Sequence, residues 1–103
     1  MRHSRLPALA ALALLAAAGN VGAVDANLGR DVAANCASCH ATDGRSRGSV
    51  PSLIGQDTLS LVQQMKDFRD GKRRSTIMQQ LAKAYTDAEI EAAAAYLSAQ
   101  KAN

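Results

Sequence analysis

Cys36-Ala37-Ser38-Cys39-His40 contains both cysteines of the chain and one of its two histidines. Two thiols about one helical turn apart can each form a thioether with a vinyl group of a porphyrin. A histidine directly after the second thiol can offer its imidazole to the iron as proximal ligand. The spacing is that of a c-type haem attachment site. Three other chemistries compete for it. A disulfide between Cys36 and Cys39 would close a very small loop and leave His40 without a role. A thioredoxin-like redox pair needs a surrounding β-α-β pattern, and no segment shows the period-two alternation of a half-buried strand. A zinc site needs four ligands, and these three residues leave only one remote histidine.

The elements that must position this motif read as four helices. The first runs from about Leu28 to Cys36, with Asn27 as N-cap. Leu28, Val32 and Cys36 recur every four residues, so one face carries the first cysteine. Residues 41–55 hold Gly44, Gly48, Pro51 and Gly55 and read as loop. A helix from about Thr58 to Asp70 follows, stopped by Gly71, with Leu61, Met65 and Phe68 on one face and Val62 alongside. A short helix over Thr76 to Ala84, capped by Ser75, places Ile77 and Leu81 four apart. In the last helix Thr86-Asp87-Ala88-Glu89 is a capping box, and Ile90, Ala93, Ala94 and Leu97 make its apolar face up to Ala99. One motif and no internal repeat predict a single all-α domain around one covalently attached haem.

The N-terminus predicts export. Arg2 and Arg5 precede an apolar run from Leu6 to Ala18, and Gly19-Asn20 and the small residues Val21-Gly22-Ala23 follow. This is the three-part order of a secretory signal peptide, with cleavage after Ala23 or, as second choice, Ala26. The division is residues 1–23 as leader and 24–103 as the single haem-bearing domain, with a periplasmic location. An uncleaved leader would be a membrane anchor, but the run is short for about 30 Å of hydrocarbon and rich in alanine. Removing the leader takes His3 away, so His40 is the only histidine left and a bis-histidine iron is excluded. It also leaves ten Lys+Arg against nine Asp+Glu. That balance gives nucleic-acid binding no support. What remains is a local cluster of Lys66, Arg69, Lys72, Arg73 and Arg74. It either steers an acidic partner, pairs with haem propionates, or is an ordinary solvated face.

A domain of this size without tryptophan, whose aromatics are Phe68, Tyr85 and Tyr96, needs a staple. A covalent macrocycle would serve as one, and the apoprotein is expected to fold poorly.

The function turns on what binds the iron opposite His40. A thioether there makes a closed electron-transfer site. Beyond Met1, the methionines are Met65 and Met78. Met65 lies at core spacing within a helix, where methionine is usually filler. Met78 follows the basic segment at the opening of a short helix, and position favours it.

The chain resembles the class I cytochrome c family, and more narrowly the single-haem units of cytochrome c4 and of the cytochrome subunit of flavocytochrome c sulfide dehydrogenase. The matching stretches are the haem motif with Asp43-Gly44, Pro51-Ser52-Leu53 with Gly55, Gln64 to Arg73, Thr76-Ile77-Met78, and Tyr85-Thr86-Asp87 with Glu89-Ile90. The resemblance implies a small class I cytochrome c fold with Met78 as axial sulfur. It implies that the Pro51 carbonyl accepts the second ring N–H of His40, orienting the ligand. It also implies a close crossing of Gly29 against Tyr96. Arg74 stands where these relatives usually carry proline, and Ala84 where glycine is common; neither change removes a ligand.

These residues imply a non-enzymatic carrier of single electrons. Cys36 and Cys39 would hold haem c, and His40 and Met78 its iron, with Pro51 supporting His40. Its partners would be redox proteins: a dehydrogenase, an oxidase or another cytochrome. Two other readings stand: a haem subunit of a periplasmic dehydrogenase with a flavoprotein partner, or a haem sensor with an open iron position. The early place of the motif argues against the last, since four-helix cytochromes with open haems carry it near the C-terminus.

Overall fold

The computed structural model describes residues 27–41 and 48–101. The leader, both candidate cleavage positions and Asp43-Gly44 lie outside the described residues. Among the described residues four helices form in chain order, α1 (Leu28–Cys36), α2 (Thr58–Arg69), α3 (Met78–Ala82) and α4 (Asp87–Ala99), and no β-strand occurs. The described residues are all-α, in keeping with the class I cytochrome c fold that the resemblance implies. No helix among them is long and apolar enough to cross a membrane.

The terminal helices α1 and α4 pack against each other, and α2 packs against α3 and α4. The α1–α4 crossing depends on Gly29. A Cβ there would run into the backbone carbonyl of Ala92 and sit 3.1 Å from Tyr96 Cβ, so only glycine lets the two backbones approach this closely. The crossing expected against Tyr96 is therefore in first place a contact with the Ala92 backbone. Val32 and Ala33 of α1, Leu61 of α2, and Ala93, Ala94 and Leu97 of α4 form the buried core, with Leu28, Leu53, Ile54, Val62, Tyr85 and Tyr96 packed around it.

Helix ends follow local chemistry. Thr86 Oγ1 accepts from Glu89 N–H at 3.2 Å and Glu89 Oε1 accepts from Thr86 N–H at 3.0 Å, closing the capping box. Asp57 caps α2 through Ser60 N–H at 2.9 Å. Gly71 takes φ 73° just past α2, a left-handed position that ends a helix at little cost only for glycine.

Two expectations change. Asn27 occupies the N-cap position of α1 but makes no side-chain cap bond, and its backbone is already helical (φ −94°, ψ −11°). The third helix begins two residues later than expected and ends at Ala82. Thr76 and Ile77 are β-branched and resist helical packing, and Ile77 sits outside helical geometry at φ −129°. Ser75 still contributes: its Oγ accepts from Gln79 N–H at 3.0 Å.

Candidate haem-binding site

The end of α1 places the attachment motif. Cys36 is its last residue, and its carbonyl accepts from Cys39 N–H at 3.2 Å and His40 N–H at 2.9 Å. These bonds wind Cys36 to His40 into one turn and bring both thiols and the imidazole to the same end of the helix. The two cysteines are unpaired, with Cys36 half-buried and Cys39 exposed. Cys36 Sγ points back to the Val32 carbonyl at 3.7 Å. Burial raises its pKa above the ordinary thiol value, because an anion is poorly solvated there.

His40 is oriented by the loop. Its Nδ1 lies 2.6 Å from the Pro51 carbonyl oxygen, which can only accept, so Nδ1 carries the proton and the lone pair is on Nε2. Ser52 holds the loop beside it, with Oγ bonding the Ala41 carbonyl at 3.5 Å. Gln56 Nε2 donates to the Ser52 carbonyl at 2.6 Å, and Gly55 N–H donates to Leu97 O at 3.0 Å, tying the loop to α4.

Next to the motif is an open, shallow cleft lined by Val32, Cys36, Leu53, Leu61, Met65, Tyr85, Ile90, Ala93, Ala94 and Leu97. Cys36 is on its wall, so a group bonded there meets an apolar surface built by all three long helices. Met65 lines the cleft and Met78 does not. Met78 is half-exposed at the first position of α3, beside the exposed apolar side chains of Ile77 (57 %) and Leu81 (43 %). The helical periodicities of α1, α2 and α4 marked most of the lining in advance. Leu53 and Tyr85 went unmarked as lining residues because they lie outside the helices, where no periodicity signals burial. Tyr85 forms part of the cleft wall.

The donor set fits a haem c. Two unpaired thiols and an imidazole with a free Nε2 share one turn, and the adjoining surface is apolar and concave, as cofactor sites are.

The basic cluster is partly consumed. Arg69 bonds Asp87 at 2.6 Å and contacts Asp70 at 3.7 Å. Arg73 lies 4.8 Å from the Phe68 ring centroid and donates to Gln64 Oε1 at 2.7 Å.

A family model described as cytochrome c oxidase, cbb3-type, subunit III matches residues 24–97. The cytochrome subunit of sulfide dehydrogenase from Chlorobaculum tepidum is 37% identical over 100 residues, covering 85% of this chain and 91% of that protein. Cytochrome c4 from Pseudomonas aeruginosa is 40% identical over 78 residues, covering 75% of this chain and 39% of the relative. The solved structure of Acidithiobacillus ferrooxidans cytochrome c4 superposes with a TM-score of 0.64 at 34% identity, covering 78% of this chain and 52% of that one. The chain thus spans about half or less of the cytochromes c4 but nearly all of the sulfide dehydrogenase subunit. Helical fold, attachment turn and relatives agree: the chain belongs to the cytochrome c family, whose members carry covalently attached haem c and transfer electrons.

Proposed function

We propose that this chain is an exported, periplasmic monohaem cytochrome that carries single electrons between redox proteins, with His40 and Met78 as axial ligands. The observation that carries the reading is the attachment turn, where both thiols are unpaired and Pro51 fixes His40 with Nε2 free. When bound, the haem supplies an iron that alternates between ferric and ferrous states. Cys36 and Cys39 would anchor it through two thioethers. The Pro51 carbonyl holds the His40 ring against rotation and strengthens its donation. Leu53, Leu61, Tyr85, Ile90 and Leu97 would exclude water around the haem, and Met78 would hold the iron together with His40, a closed ligand set suited to electron transfer. Resemblance over Thr76-Ile77-Met78 supports Met78. Its place on an exposed face at the start of α3 gives the sulfur freedom to turn toward a group seated there. Met65 is the competing sulfur, because it lines the same cleft as Cys36.

The spectrum of the oxidised holoprotein separates these. A weak long-wavelength band reporting sulfur on ferric iron is expected, lost in Met78→Ala and kept in Met65→Ala. The reverse pattern assigns Met65. Absence of the band in the parent protein means an open or differently filled site, which carbon monoxide binding to the ferrous form would reveal.

A second reading has its own support. The match to nearly the whole Chlorobaculum tepidum subunit favours a haem subunit of a dehydrogenase, with a flavoprotein as partner. Co-purification with a flavoprotein from the native periplasm distinguishes it from a freestanding carrier. Retention of the unprocessed leader in the membrane fraction would overturn cleavage of the leader and make the chain a membrane-anchored cytochrome.

A further inference from the structure

Residues 70–86, which carry Met78, are weakly embedded. Ala82 is the buried residue of α3, while Ile77 and Leu81 face solvent. Apart from Ala82 and Tyr85, which packs against the core, little burial holds the segment. Its ends are held instead. At the start, the Asp67 carbonyl accepts from Lys72 N–H at 2.8 Å and Arg73 N–H at 3.2 Å. Across the base, Arg69, the last residue of α2, donates from Nη1 to Oδ1 of Asp87, the first residue of α4, at 2.6 Å. Lys66, one turn earlier, adds a favourable field at Asp87. The two residues that bracket the segment are thereby joined to each other, and the segment becomes a loop with a fixed span.

We propose that the Arg69–Asp87 ion pair is a clamp that positions Met78, and that it sets how readily the sulfur yields its place on the iron to another ligand. The inference rests on the reading of Met78 as axial ligand. Opening the base gives the loop more conformations, and most of them carry the sulfur away from any single position. Arg69 and Asp87 touch neither the attachment turn nor the cleft, so they act through the loop alone.

The test uses ferric holoprotein and imidazole as entering ligand, followed by loss of the sulfur band. Arg69→Gln and Asp87→Asn are each expected to raise apparent imidazole affinity about two- to fivefold, the scale of an exposed but well-formed ion pair. The double variant should do no more than either single one, and high salt should shrink the difference by screening. Arg30→Gln, which breaks the surface pair with Asp31, should change nothing. Gly29→Ala should lower the melting temperature without changing imidazole capture. Wild-type imidazole affinity in Arg69→Gln and Asp87→Asn overturns the clamp, as does an equal rise in Gly29→Ala, which would trace the effect to global stability. A parent protein without the sulfur band, or one that keeps it in Met78→Ala, instead removes the Met78 reading on which the clamp depends.

Discussion

At the scale of single residues, backbone approach and backbone conformation make different demands on glycine. At Gly29 the constraint is space, since an added Cβ meets the Ala92 carbonyl and Tyr96. Backbone atoms cannot swing away as a side-chain tip can, so Gly29→Ala must push α1 and α4 apart. The expected loss is about 2–3 kcal/mol, read as a lower midpoint in denaturant unfolding of the holoprotein. At Gly48 the constraint is conformation alone: φ is 62° with nothing near the added atom. Gly48→Ala should therefore cost only about 1–2 kcal/mol. Equal losses at the two sites would contradict this division. His40 illustrates a third kind of demand. Its usefulness as a ligand depends on a carbonyl eleven residues away, and that partner was identified through resemblance, not spacing.

Among the elements, α4 has the strongest local instructions. Thr86 and Glu89 satisfy each other's backbone N–H groups, and alanines fill its buried face. Thr86→Ala removes one half of that box and should cost about 1 kcal/mol, measured by thermal unfolding. The same box predicts a pH effect. The Thr86 N–H and hydroxyl hold the Glu89 carboxyl below the ordinary carboxylate range, and Arg69 does the same for Asp87. A carboxyl with a lowered folded-state pKa adds stability above its unfolded value and loses it as pH falls through the folded one. Wild type and Glu89→Gln should thus differ at neutral pH and draw together as pH falls below the ordinary carboxylate range. A constant gap down to strongly acid pH would reject the assignment. In α3 the local instructions conflict: Ser75 offers a cap while Thr76 and Ile77 resist the helix, and the helix starts at Met78.

For the molecule as a whole, the protein supplies only a thin core of its own. Among the described residues the buried apolar side chains are mostly alanine, with Val32, Leu61, Ile90 and Leu97 as the larger ones, and no large side chain is fully buried. A domain this small is marginal without a staple. The Cys36→Ala, Cys39→Ala double variant, which cannot hold haem c covalently, should lose most of its far-UV helical signal and its cooperative melting transition. A haem-free protein that melts cooperatively near the holoprotein would show that the chain needs no staple. The sequence by itself determined the attachment motif, the helical class and the apolar faces of α1, α2 and α4, because these are encoded by neighbours within a turn or two. It also announced the α4 capping box, whose four residues are contiguous. Tertiary structure alone decided that Gly29 meets Ala92, that Leu53 and Tyr85 enter the cleft wall, and that Arg69 reaches Asp87. Each joins residues with no periodic relation along the chain, so their meeting depends on how the helices cross.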